Sequence, residues 1–450
     1  MRLTKIKALF TVPSALFFLS WLFIGATINL QDQRVFNLQQ MGIDAIVEHG
    51  TYTLGHSKHP NLQPLGDVFW KDGQRFAAKQ PGQFTLAAIP YFAIRALGYN
   101  YNDNYDLTAS LVTFFSTSFM SALAIMLLYK TLLLWRFTPQ VSLFALFPLA
   151  FASPWLIFSG IEHHDIMASS LIIYALYCIE KNALQYDNTR HPLAFLAGLF
   201  LGLAIFVSML PALIVAAIGL YSISRFKINN SIATGCGFLL GLLPLAIYNG
   251  YYFGSPLTQA NVAGNYADTF FNFSWAQFSH HLNAYFGIGG LSLWYYSPLL
   301  MLGFAFFMWT KQLALQTRVF IFLAILLHLF YLLNIETLGT CQYGPRYLIP
   351  LLPFFTIGLA GIVTRLLNRD PLSFGIGYSA LATYSFIVTL FGALGGVLYC
   401  NLPRFALLQY MGELHRYHLD MLPFFSVASS AMVAILLLIL LFRFFIQKGR

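Results

Sequence analysis

The 450 residues are 58% apolar and only 9% charged, against about 25% charged residues in soluble domains, so a soluble globular protein is excluded. The formal net charge of +9 says little about nucleic acid in so apolar a chain. It matters through where the basic residues sit relative to a bilayer.

Several apolar runs approach or exceed the ~20 residues that cross a bilayer core. The N-terminus carries Arg2, Lys5 and Lys7 ahead of an apolar run to about Ile28, which is the charge order of a signal peptide. The run is as long as a spanning helix, so a retained anchor is expected; cleavage near Gly25-Ala26-Thr27 is the alternative. Apolar runs at 8–29, 108–129, 139–159, 166–180, 192–207, 209–224, 231–248, 290–309, 319–335, 347–364, 374–399 and 422–442 predict an all-α integral membrane protein. A single transmembrane domain over 1–450 is expected, with about twelve spanning helices. With the N-terminus inside, 16 of the 25 Lys and Arg residues fall in cytoplasmic segments, whereas 13 of the 16 Asp and Glu residues fall outside. That asymmetry is what the positive-inside rule requires.

Residues 83–97 are apolar but short, and they contain Pro90 and Arg95. Were they to cross, the downstream basic residues would all change sides. They are therefore read as an amphipathic helix lying at the outer interface, within a large first external loop, 30–107. The second large external loop is 249–289, with smaller external segments at 160–165, 336–346 and 400–421. All cytoplasmic connections are short, so function is expected on the external face. Neither an internal repeat nor a matched pair of broken helices is visible, which argues against a secondary transporter. Cys178 and Cys236 read as buried apolar fillers. Cys341 and Cys400 both read as external, where a disulfide is chemically permitted.

The candidate functional residues collect in the external segments. Asp32 and Arg34 follow the first span directly. Lys79 precedes a Gln80-Pro81-Gly82 turn at headgroup depth, where an ammonium is a compact charge for a lipid phosphate. Generic snorkelling is the alternative role for that lysine. Arg346 opens a span after Tyr343-Gly344-Pro345, and a guanidinium there suits bidentate phosphate binding as well as interfacial anchoring. His163, His164 and Asp165 carry ordinary metal-ligand types, but adjacent histidines on a helix point apart and Asp165 is equally a helix N-cap. No cofactor is expected, with a divalent metal left open. Trp70, Trp275 and Trp294 are candidates for stacking on sugar.

The order of these motifs resembles the GT-C superfamily of membrane glycosyltransferases, which includes protein O-mannosyltransferases and the aminoarabinose transferases of lipid A. The resemblance rests on Asp32 with Arg34, on Glu48-His49-Gly50, and on Lys79-Gln80-Pro81-Gly82. Glu162-His163-His164-Asp165, Tyr252-Phe253-Gly254-Ser255-Pro256-Leu257 and Tyr343-Gly344-Pro345-Arg346-Tyr347-Leu348-Ile349-Pro350 extend it. It implies a polyprenyl-phosphate-linked sugar as donor and Asp32 as catalytic residue. Arg34, Glu48, Lys79, His164, Asp165 and Arg346 would bind substrate.

The chemistry fits the same residues. Departure of a phosphate needs charge stabilisation, and the acceptor hydroxyl or amine needs a positioned carboxylate for its proton. One base and no nucleophile make inversion the simplest outcome. The partners implied are the lipid-linked sugar, a lipid, glycan or protein acceptor, and membrane lipids, without nucleic acid. The location implied is a bacterial inner membrane with the active site facing the periplasm. A transporter or flippase of lipid-linked saccharides is the competing reading. It would need ionisable residues in mid-span, where only His328 stands out. A non-catalytic scaffold would leave Asp32, Lys79 and Arg346 unexplained.

Overall fold

The structure, a computed structural model, describes residues 11–63, 66–184, 191–264, 274–339 and 341–397. Eleven of the apolar runs, from 8–29 to 374–399, coincide with helical segments; the run at 422–442 lies outside the described residues. The chain is a multi-pass integral membrane protein. Among the described residues, five helices are long and apolar enough to cross a bilayer: Tyr105–Leu134, Ile228–Phe253, Leu315–Asn334, Arg346–Arg369 and Pro371–Gly395.

In chain order, α1 (Val12–Ala26) begins on a Pro-containing turn, where the missing N–H would be unpaired anyway. Two short helices follow it, α2 (Leu30–Val35) and α3 (Asn37–His49). Gly50 closes α3 at φ +64°, a left-handed C-cap that glycine adopts without strain. Residues 83–97, read as an interfacial helix, are helical from Gly82 to Ala96 (α4). Phe84, Ala87, Ala88, Tyr91 and Ile94 of α4 are buried, while Ile89 and Phe92 stay exposed. The buried stripe has helical spacing and packs on α3.

Between Gly50 and α4 the sequence reading assigned no regular structure, yet an antiparallel hairpin forms from β1 (Val68–Lys71) and β2 (Gln74–Ala77). Asp72 and Gly73 both have positive φ, 50° and 73°. Asp-Gly at the centre of a two-residue turn is the strongest short-range hairpin signal.

Helix α5 (Tyr105–Leu134) contains a π-helical turn at Phe114–Ser118. Two runs expected to be continuous are interrupted. The run at 139–159 splits into α6 (Pro139–Phe151) and α7 (Pro154–Ser159). The run at 290–309 breaks at Ser297 ahead of α13 (Pro298–Ala305). Ser and Pro at these breaks keep the run apolar, so hydropathy did not reveal them.

The remaining long helices are α8 (His164–Ala183), α9 (His191–Val207), α10 (Ala212–Arg225), α11 (Ile228–Phe253), α12 (Trp275–Phe286), α14 (Leu315–Asn334), α15 (Arg346–Arg369) and α16 (Pro371–Gly395). Helices α9 and α11 form an especially close pair. Gly198 and Gly202 on one face Gly237 and Gly241 on the other, and a Cβ at any of the four would run into backbone of the opposing helix. Facing small-xxx-small motifs let apolar helices approach where no hydrophobic effect drives them together.

Cys341 is disulfide-bonded, and Cys400 lies outside the described residues. Cys178 is a buried free thiol as expected, but Cys236 is exposed on α11: an apolar run does not tell which of its faces packs inward.

Candidate functional site

The hairpin delivers Lys79. Phe69 and Phe76 are cross-strand partners with stacked rings 5.7 Å apart. Both rings meet Phe253 at the end of α11, at 6.0 and 5.5 Å. Cross-strand aromatic pairs of this kind stabilise a short ladder, so Tyr252-Phe253-Gly254 buttresses the hairpin. Tyr252 adds hydroxyl contacts to Thr51 and to the Tyr52 N–H. Beyond β2, the Ala78 N–H donates to the Asp67 carbonyl at 2.7 Å, and Lys79 pairs with the Asp67 carboxylate at 3.1 Å.

After Lys79 the chain turns through Gln80-Pro81 into α4. A Cβ on Gly82 would stand 2.5 Å from the Phe206 carbonyl at the end of α9. Only glycine lets the turn sit this close, and Lys79 lines a cavity together with Ser208, Met209 and Leu210 just beyond α9.

A second buried polar cluster centres on Glu162. Glu162 accepts hydrogen bonds from Gln83 of α4 and from Ser116 and Thr117 of the π turn, the last at 2.9 Å. A π turn widens one turn of the helix, and here two of its three hydroxyls reach one carboxylate while Ser118 donates to the Ser159 carbonyl. Burial pushes the Glu162 carboxyl above its usual range, against the pull of those three donors.

His163, and not Asp165, caps α8: its Nδ1 accepts the Asp165 N–H at 3.3 Å. Because His163 is extended rather than helical, its ring stacks on His164 with centroids 4.9 Å apart and planes 13° apart. The rule that adjacent helical side chains diverge therefore does not apply. Asp165 is fully buried, accepts from Ser208 Oγ at 3.1 Å and lies 3.5 Å from His164 Nε2. Its second oxygen, 4.0 Å from His163 Nδ1, has no hydrogen-bond partner. Among the described residues no group of three or more His, Cys, Asp or Glu side chains is arranged to hold a metal.

Arg346 opens α15 with its guanidinium over the Tyr347 ring at 4.7 Å. Its Nε is buried without a hydrogen-bond partner. Lys79, His164, Asp165 and Arg346 line one cavity of about 260 Å³, joined by Ser208 and Tyr347. Four residues picked out along 268 positions of sequence thus meet in one place. Neither helix interruption contributes to its lining.

The other three lie elsewhere. Asp32 is buried at the start of α2, where its Oδ1 accepts the Val397 N–H at 2.9 Å. Burial raises its carboxyl to about 7, with the Val397 hydrogen bond opposing. Arg34 forms a two-pronged pair with Asp106, Nε to Oδ1 at 2.9 Å. Glu48 accepts from Tyr91 at 2.8 Å and Arg95 at 2.7 Å, tying α3 to α4. Both side chains have partners already within the protein, and a spacing pattern gave no sign of them. Trp70 is exposed under the Arg75 guanidinium at 4.7 Å, and Trp275 is exposed as well. His328 is buried with Nε2 at 3.3 Å from the Tyr347 carbonyl.

No family model matches the sequence, and no curated protein matches it. Solved structures do match in fold. The crystal structure of ArnT from Cupriavidus metallidurans bound to undecaprenyl phosphate is similar at a TM-score of 0.50 and 14% identity, over 94% of this chain and 75% of that one. The apo structure of the same protein gives 0.47 and 14%, over 84% and 62%. The chain shares the fold of that undecaprenyl-phosphate-bound ArnT structure.

Proposed function

We propose that this protein is a membrane glycosyltransferase that moves a sugar from a polyprenyl-phosphate-linked donor to an acceptor at the external membrane face, with inversion. The observation that carries the reading is the convergence of Lys79 and Arg346 on one cavity, with the Arg346 Nε left unpaired inside the protein. An unpartnered buried donor is costly, and an anion placed there would satisfy it. The undecaprenyl phosphate held by the similar ArnT structure has that chemistry.

In the reaction, the acceptor oxygen or nitrogen forms a bond to the anomeric carbon as the bond from that carbon to the phosphate oxygen breaks. The electron pair stays on the departing phosphate, where Lys79 and Arg346 stabilise it. The acceptor proton goes to a carboxylate. Asp32 is proposed as this base from the motif order: its carboxyl, raised to about 7, is matched to taking a proton near neutral pH, and it lies outside the cavity that Lys79 and Arg346 line. Asp165 is the second candidate, because it lies in the cavity with one oxygen free. Arg34 and Glu48, paired to Asp106 and to Tyr91 with Arg95, hold the first external segment in place. A flippase would need charge along its path, and these charges gather at one end.

The test is mass spectrometry of envelope lipids and glycans from cells with and without the protein, joined to turnover of a polyprenyl-phosphate sugar by the purified chain. A sugar modification that disappears with the gene, and release of polyprenyl phosphate in vitro, is the expected result. Transport of the intact lipid-linked sugar without its cleavage would replace this reading with the flippase.

A further inference from the structure

Lys79 is already neutralised. Its ammonium sits 3.1 Å from Asp67, whose side chain is 60% exposed. A pair so open to water contributes little to stability, so holding the fold together does not account for it. The backbone nevertheless maintains it. Asp67 has a φ of +53°, a left-handed conformation that aspartate tolerates better than most residues, and its carbonyl is fixed by the Ala78 N–H. The two residues flank the hairpin, so closing the hairpin brings the carboxylate to the ammonium. Lys79 holds the Asp67 carboxyl below its usual range against the opposing effect of burial, and Arg346 and His164 add smaller contributions. Asp67 therefore shares the field of the cavity without lining it.

The reaction changes the charge that this field must hold. A polyprenyl-phosphate sugar is a phosphodiester with one negative charge. The polyprenyl phosphate that leaves is a monoester, which carries about 1.5 to 2 charges at neutral pH. Two cations facing the cavity would therefore bind the product more tightly than the donor and slow its release. A fixed carboxylate beside one of the cations opposes the second charge of the product more than the single charge of the donor.

We infer that Asp67 is a positioning residue that competes with the product phosphate for Lys79 and so sets donor binding against product release. The inference rests on the phosphate-clamp reading of Lys79 and Arg346.

The test uses the full chain in detergent micelles, with undecaprenyl phosphate as the monoester probe and a dialkyl phosphate of matched length as the diester probe. Both affinities are measured at pH 8 in wild type, Asp67→Asn, Lys79→Ala and the double variant. Asp67→Asn should tighten the monoester roughly fivefold more than the diester, as expected for one extra charge at short range in a half-exposed site. In turnover it should lower kcat more than kcat/KM. Asp67→Glu should restore the wild-type ratio, and the discrimination should vanish in the Lys79→Ala background. An unchanged monoester-to-diester ratio in Asp67→Asn, with wild type binding both probes, overturns the inference and leaves the clamp standing. Wild type binding neither probe overturns the clamp, and the inference with it. If Asp67→Asn fails to fold, the ratio in Asp67→Glu and Lys79→Ala decides, and an equal ratio in wild type and Lys79→Ala overturns it.

Discussion

Asp32 and Tyr343, far apart in sequence, are joined through one residue. Val397 donates its N–H to Asp32 Oδ1 at 2.9 Å and accepts the Tyr343 N–H at 2.7 Å. Three residues after Tyr343 stands Arg346, in the wall of the cavity. The buried carboxylate and the arginine of the cavity wall are thus tied to the same short strip of backbone, although Asp32 does not line that cavity.

The choice of base follows from this arrangement. Asp32→Asn keeps the acceptor for the Val397 N–H but removes the base, so turnover should fall by about 10²–10⁴-fold with donor binding kept. Asp165→Asn should cost less if Asp165 only lines the pocket. Steady-state turnover of both variants decides, and the larger loss in Asp165→Asn would move the role there.

pH separates catalysis from stability. If Asp32 is the base, kcat/KM should rise as pH passes about 7, and Asp32→Asn should lose that limb. Asp44 is also raised to about 7, by burial and the nearby Glu48, so Asp44→Asn, with the limb intact, is the control. Stability runs the other way. Native Asp32 and Asp44 keep protons that the unfolded chain, at 3.8, has already released, so stability should decline as pH rises from about 4 to about 7. Melting curves across that window test the sign.

Lys79→Ala should weaken donor use far more than it lowers protein abundance, and Lys79→Arg should recover part of it. Arg346→Lys should not be conservative, because a guanidinium can bind phosphate with two parallel hydrogen bonds and a lysine cannot. Equal donor affinity in wild type and Lys79→Ala would return this lysine to snorkelling.

Gly82→Ala places a methyl group against the Phe206 carbonyl. Forcing atoms into a packed contact costs about 1–3 kcal/mol, and here the strain falls on the turn that carries Lys79. A lower melting temperature together with weaker donor binding is expected. Glu48→Gln, which loosens α3 from α4 by weakening the Arg95 pair, should lower stability and leave the rate per folded molecule unchanged.

Orientation is open to labelling. On a background without other reactive cysteines, Leu184→Cys should react only from the cytoplasmic side and Pro60→Cys only from outside. External labelling at 184 would invert the topology.

The sequence by itself determined that the protein is a multi-pass membrane protein and where most of its apolar helices fall. Apolar run length and the sidedness of Lys and Arg are properties of composition along the chain, and the bilayer reads them one segment at a time. The Lys79-Gln80-Pro81-Gly82 turn and Tyr343-Gly344-Pro345-Arg346 were legible for the same reason, since a glycine or proline beside a cation is a local signal. Tertiary structure alone decided which residues share a cavity. Whether Arg34 faces substrate or Asp106, and whether Glu48 faces substrate or Arg95, depends on partners 72 and 47 residues away. No local pattern encodes that distance. Asp67 escaped notice because an acidic residue in a polar loop looks solvated until the hairpin closes it onto Lys79. Glu162 likewise became a hub only when a π turn in a neighbouring helix aimed two hydroxyls at it. Burial and hydrogen-bond partnership come from packing, so they exist only once the helices have met.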